Sequence, residues 1–326
     1  MSQQLPVTPI EGTHLVVGAG EVGSAVALLL AEAGREVVVA TRRGSGPDHP
    51  RIRKASADAS SVESLLAAEP RAVVIYNCVN PPYDTWVELW PPMAQAFLDY
   101  AERTGAVLAT VSNLYGYGPV DVPMTEDLPL AATGTKAQVR IRMWREAKAA
   151  NDAGRVRATE VRGSDYICAG EASAFGDRGM PRILAGKSAQ LLGDIDQPHT
   201  WTAPVDVART LITVASDSRG WGRAWHVPSN APRTARAVVD DLAGSAGVGP
   251  IESSAVPGVL LTVLGIFQPV IRELKETAYQ RERPYVLDDT AARVTFGLEP
   301  TDWSEIVDGV VAAYRRAPLR QEANTP

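Results

Sequence analysis

Residues 15–43 read LVVGAGEVGSAVALLLAEAGREVVVATRR. Gly18, Gly20 and Gly23 follow an apolar run and open an amphipathic one, so the triplet sits at a strand-to-helix turn. There Gly18 permits the tight turn, Gly20 lets backbone approach a pyrophosphate, and Gly23 lets helix pack on strand. The phosphates would lie at the helix N-terminus, beside Glu21 and Val22. The next apolar run ends in Thr41, Arg42 and Arg43. An NAD site usually places Asp or Glu here for the ribose hydroxyl, whereas a pair of arginines suits the 2′-phosphate of NADP. NADP(H) is therefore the expected cofactor, with NAD(H) second. His14, His49, His199 and His226 show no ligand spacing, and no metal is expected. Cys78 and Cys168 have apolar neighbours and read as buried free thiols.

The elements that must hold these residues alternate along the chain. Thr13 to Val17, Glu36 to Ala40, Ala72 to Tyr76, Ala106 to Val111 and Arg157 to Val161 read as strands, with helical periodicity between most of them, as in Tyr83 to Thr104. That order predicts an α/β fold, a Rossmann-type doubly wound parallel sheet with a smaller, mostly C-terminal substrate lobe. The expected division is a flexible stretch 1–11, a nucleotide-binding domain over 12–165 completed by about 200–230, a lobe over 166–200 and 231–315, and a flexible tail 316–326. A strand-like Trp225 to Val227 lies in the completing segment. With 326 residues and 45% hydrophobic content the chain can bury a sizeable core. Its formal net charge of −6 argues against nucleic acid as a partner. Val256 to Ile271 is too short and too interrupted to span a bilayer, so no membrane partner and a cytoplasmic location are expected. That segment packs inside the lobe or faces a bulky ligand or a second subunit, as in a homodimer.

Further residues resemble a known group, the short-chain dehydrogenase/reductase superfamily, in its extended and atypical NAD(P)-dependent epimerase/dehydratase-like branch. Asp58 in ASADASSVESL resembles the group's adenine-contacting aspartate. YNCVNPPY (Tyr76 to Tyr83) resembles the loop after the fourth strand, which puts Asn80 beside the cofactor. VSNLYGYGP (Val111 to Pro119) resembles the fifth strand and its end, with Ser112 in place of one of the paired serines. VRGSDY (Val161 to Tyr166) resembles the segment beside the nicotinamide, with Gly163 and Ser164 where Pro-Gly is usual. WTAPVDVA (Trp201 to Ala208) resembles the segment whose aspartate, here Asp206, opens a helix.

The resemblance implies a Tyr-x-x-x-Lys pair in which tyrosine moves the substrate proton and lysine holds the nicotinamide ribose. Lys136 stands in the lysine position, but Ala132 occupies the tyrosine position. Tyr115 is the first candidate to replace it, by proximity to Ser112. Tyr117, Tyr166, Thr133 and Thr135 are others. Trp86 and Trp90, four apart on the helix after NPPY, would lie near the cleft mouth, and Trp86 with Tyr166 is expected to touch substrate. The preferred functional reading is an NADPH-dependent reductase of a carbonyl or imine on a bulky apolar metabolite, a small-molecule substrate. The alternatives are a non-catalytic NADP-binding sensor or scaffold, and a nucleotide-sugar epimerase or dehydratase. The last ranks lower because it needs the missing base most.

Overall fold

The computed structural model describes residues 5–256 and 276–316. Its first strand, β1 (Thr13–Val17), is buried from His14 onward, as a strand covered on both faces must be. It leads into α1 (Glu21–Glu32), and β2 (Glu36–Thr41), β3 (Ile52–Ser56), α2 (Val62–Ala68) and β4 (Val74–Asn77) follow. A 3₁₀ turn at Tyr83–Thr85 then opens α3 (Trp86–Thr104). After it come β5 (Val107–Asn113), a 3₁₀ turn at Tyr115–Tyr117, α4 (Thr135–Asp152) and β6 (Arg157–Gly163). A last strand, Ala224–His226, pairs with β6.

These seven strands form one sheet in the order β3-β2-β1-β4-β5-β6 and then Ala224–His226. Every pairing is parallel. The order reverses between β1 and β4, which is where a doubly wound sheet opens a crevice at its strand ends. Val17 and Asn77, the last residues of those two strands, are in register there. Apolar strand residues and α2, α3 and α4 share one core, with Leu15, Leu65, Ile75 and Tyr100 wholly buried.

The chain divides into two units. The first comprises the described residues within Met1–Ser164, Pro204–Pro228 and Leu287–Glu299, and the second those within Asp165–Ala203, Ser229–Val286 and Pro300–Pro326. Residues 287–299, expected in the lobe, thus pack with the sheet. Met124 bridges to Leu287, the Asp288 N–H donates to the Met124 carbonyl at 2.7 Å, and Phe296 packs edge-on against Trp225 at 4.8 Å. The second unit holds two short strand pairs, Asp165–Tyr166 with Trp201–Thr202 and Ala189–Leu191 with Ser253–Ala255. Asp302 starts its last helix, Trp303–Arg316, by accepting from the Ser304 N–H at 2.8 Å.

Pro9 and Ile10, expected to fray, are tied down by bonds from Arg35 and His14 to their carbonyls. Residues 1–4, most of the apolar Val256 to Ile271 segment and the tail beyond Arg316 lie outside the described residues. Among the described residues no helix is long and apolar enough to cross a membrane, and no cluster of side chains could hold a metal ion.

Candidate functional site

The glycine turn lies at the reversal point of the sheet. Gly18 has φ +99°, and a Cβ on it would come within 2.6 Å of the Cys78 carbonyl oxygen. A Cβ on Gly23 would come within 2.0 Å of the Gly18 carbonyl oxygen, so helix and turn meet only without one. Gly20 differs, because a Cβ there would meet no atom within 4 Å. Protein packing requires the first and third glycines, while the second borders open space at the α1 N-terminus. Gly20 gives that helix no side-chain cap, so its first turn keeps N–H groups for an outside acceptor. These features fit the pyrophosphate of a dinucleotide. The Val22 side chain is buried in the core and could serve only through its backbone.

At the end of β2 the chain turns tightly. The Thr41 hydroxyl donates to the Ser45 carbonyl at 3.1 Å and accepts from the Ser45 N–H at 2.7 Å, so Thr41 shapes the turn. Arg42 and Arg43 sit exposed at its tip, and among the described residues neither guanidinium makes a hydrogen bond or ion pair. Asp58 follows β3. Its carboxylate accepts from the Ser60 hydroxyl at 2.7 Å and the Ser60 N–H at 2.9 Å, and these bonds hold it below the usual carboxylate range. Asn80 is exposed on the loop after β4.

That loop runs from the glycine turn to a second cluster. Cys78 touches the turn, Val79 packs against the apolar cluster around Trp86, and the Trp86 indole N–H donates to the Pro81 carbonyl at 2.9 Å. Tyr83 then meets Tyr115, with a hydrogen bond between the two phenol oxygens. Both rings stack on Trp86, at 4.9 Å and 6.2 Å between centroids. Lys136, 2% exposed on the first turn of α4, places Nζ 5.6 Å from the centre of the Tyr83 ring. One helical turn on, the Arg140 guanidinium lies 4.7 Å from the Trp86 ring and 4.3 Å from the Trp90 ring, and donates to the Val111 carbonyl at 3.3 Å. Ala132 is buried in the same cluster.

Among the sequence candidates, Lys136 and Tyr115 therefore share this cluster, while Thr133 and Thr135 are exposed. Ser112 is buried near the end of β5, and its hydroxyl has no hydrogen-bond partner among the described residues. Gly163 ends β6 in register with Asn113. Trp86 is 1% exposed, so it forms the wall behind the phenols instead of a substrate-facing mouth, and Trp90 is equally enclosed. Tyr166 belongs to the second unit, where the neighbouring Asp165 faces His199 at 3.4 Å and Arg281 at 3.9 Å. Against the desolvation of that carboxyl, these partners hold it down at about 2.

Tyr117 is engaged elsewhere. Its hydroxyl accepts from Arg162 at 2.6 Å and donates to His226 Nε2 at 2.8 Å, while His226 Nδ1 donates to the Asp288 carbonyl at 2.8 Å. Burial pushes the Tyr117 phenol up to about 12 and the His226 imidazole down to about 4. This is a locked structural network. Both cysteines are free, Cys168 buried and Cys78 partly so, and desolvation pushes the Cys78 thiol up to about 12.

Sequence reasoning missed Tyr83 and Arg140 as site residues. Arg140 was signalled by its place one helical turn after Lys136. Tyr83 carried no such signal, since its partners come from distant elements.

A family model described as "NAD dependent epimerase/dehydratase family" matches residues 14–227. The chain belongs to that family. No match is found among curated proteins. Among solved structures, dTDP-glucose 4,6-dehydratase from Bacillus anthracis in complex with NAD is 18% identical, with TM-score 0.74 over 94% of this chain and 97% of that one. UDP-glucose 4-epimerase from Thermotoga maritima with UDP-glucose is 16% identical, with TM-score 0.76 over 93% and 99%. A Bordetella bronchiseptica enzyme in complex with NAD+ is 17% identical, with TM-score 0.69 over 94% and 99%. At these identities the likeness is one of fold, and it bears out the Rossmann-type sheet of this epimerase/dehydratase family member.

Proposed function

We propose that this chain is a nicotinamide-dependent enzyme of the epimerase/dehydratase type, acting on a secondary alcohol of a nucleotide-linked sugar. Family membership supports the class, and the fold neighbours that carry UDP-glucose or act on dTDP-glucose support the substrate type. The observation that carries the reading is the buried Lys136 over the ring of Tyr83, whose phenol is hydrogen-bonded to that of Tyr115. Alcohol oxidation needs a base for the hydroxyl proton. Ala132 in the base position made this reading the weaker one in the sequence, and the phenol pair removes that objection. A bound nicotinamide would take the substrate hydride or return it. Gly20 and the α1 N-terminus would hold the pyrophosphate, Asp58 the adenosine end, and Lys136 would stabilise negative charge at the phenols. Ser112 remains a proposed catalytic hydrogen-bond donor.

One observation favours the reductase reading. Arg42 and Arg43, unengaged by the described residues, suit the 2′-phosphate of NADPH, the usual reducing cofactor. Incubating the purified chain with UDP-glucose and dTDP-glucose, with NAD+ and NADP+ in turn, separates the two. Chromatographic appearance of an epimer or a dehydrated keto sugar is the expected outcome. Unchanged sugars together with NADPH consumption on a panel of apolar ketones would overturn it in favour of the reductase.

A further inference from the structure

We infer that Tyr83 is the catalytic proton carrier of this site and that Tyr115 is its positioning residue, an inference resting on the nicotinamide-dependent reading above. Of the two hydrogen-bonded phenols Tyr83 is the more accessible, being half-buried where Tyr115 is 8% exposed. It is also the phenol over which the Lys136 ammonium lies, so negative charge developing on it is stabilised by a buried cation. Trp86 stacks on both rings, and its own N–H is fixed to the Pro81 carbonyl two residues before Tyr83. The Tyr115 N–H donates to the Asn113 side chain at 3.1 Å, which anchors the inner phenol to the end of β5. Tyr83 follows Cys78, which is in contact with the glycine turn, by only five positions, a reach of at most about 18 Å. The phenol is therefore delivered by the same loop that borders the nucleotide cradle.

In the oxidising direction Tyr83 starts as a phenolate accepting the Tyr115 hydroxyl. The substrate O–H bond breaks and its proton passes to Tyr83 Oη, while a bound nicotinamide would accept the hydride of the adjacent C–H bond. The substrate becomes a carbonyl compound, and both phenols end neutral. Reduction reverses each transfer. Tyr115 never exchanges a proton with substrate; its hydroxyl orients Tyr83 and stabilises the phenolate by one hydrogen bond.

The test is an alkaline titration of the full chain, loaded with whichever of NAD+ and NADP+ binds more tightly and followed by phenolate absorbance. Tyr83→Phe keeps the ring and its stack on Trp86, and near-ultraviolet circular dichroism checks the fold. The expected result is one tyrosine ionising ahead of the others in the unaltered chain. That step disappears in Tyr83→Phe, moves to higher pH in Tyr115→Phe, and returns in Tyr83→Phe/Ala132→Tyr, where a phenol is placed four residues before Lys136. An early step that survives Tyr83→Phe, or that Tyr115→Phe abolishes, overturns the assignment, as does the absence of any early step. Calorimetry separates the two levels of failure. No binding of either dinucleotide would overturn the functional reading and the inference with it, whereas tight binding without the titration pattern would overturn the inference alone.

Discussion

A Cβ added at Gly20 would meet no protein atom within 4 Å, whereas one at Gly23 would lie 2.0 Å from the Gly18 carbonyl oxygen. The two substitutions should therefore fail in different ways. Gly20→Val should fold with a near-normal melting temperature yet bind dinucleotide at least about tenfold more weakly, a loss of about 1.4 kcal/mol or more. Gly23→Val should lose thermal stability first, because helix and turn must separate. Melting curves with calorimetric titration decide this, and normal cofactor affinity in Gly20→Val would place the ligand elsewhere. Cofactor choice is tested at Arg42 and Arg43. A charge-assisted contact of roughly 1.5–3 kcal/mol predicts at least a tenfold preference for NADPH over NADH. Arg42→Ala with Arg43→Ala should erase most of it, while equal affinities in the unaltered chain would reject the arginine reading. The glycines were legible in the sequence because their mutual spacing marks a strand-to-helix turn. Tyr83 was not, because its phenol partner lies 32 positions away and the contact exists only once β4 and β5 are side by side.

Five central strands were legible as apolar runs, since parallel strands buried on both faces leave little room for polar residues. β3 escaped notice for the opposite reason. Its sequence IRKAS carries exposed Arg53 and Lys54, as suits a sheet edge. The two- and three-residue strands of the second unit are too short to show any period. Helical periodicity is visible in the sequence from Tyr83 onward, but α3 itself begins at Trp86, and a 3₁₀ turn holds Tyr83–Thr85 outside it. Trp86, the first residue of α3, backs both phenols and Arg140. Trp86→Ala should cost about 3–5 kcal/mol by opening a cavity, and the exposed neighbour Glu88→Ala less than about 0.5 kcal/mol. Denaturant midpoints of the two variants measure this; similar midpoints would mean that the aromatic wall contributes nothing to the fold.

Across the whole molecule, two buried imidazoles couple the fold to acid. His14, on the central strand, accepts from the Tyr76 hydroxyl through Nδ1 and donates to the Ile10 carbonyl through Nε2, and burial holds it down at about 4. Burial, helped by the Arg162 charge, holds His226 at about 4 as well. An unfolded imidazole takes its proton near 6.5, so between these values the unfolded chain binds more protons than the native one. The stability each contributes is complete above about pH 6.5 and is lost as pH falls toward 4, by at most roughly 3 kcal/mol per histidine. Melting temperatures should fall between about pH 7 and about pH 5, and His226→Gln should flatten part of that fall. A variant whose melting temperature falls as steeply as that of the unaltered chain would show that folding does not lower the His226 pKa.

The return of residues 287–299 to the sheet also bears on the order in which the protein can be made. Translation delivers Trp225 and His226 some sixty to seventy residues before Phe296 and the Asp288 carbonyl that complete their surroundings. On the ribosome the edge strand Ala224–His226 therefore waits, with an apolar face uncovered and an imidazole lacking its acceptor, while the polypeptide of the second unit is made. A nascent chain halted after residue 228 holds all of the family-matched region yet not the whole sheet unit. Its sheet edge is where premature pairing or chaperone capture should begin.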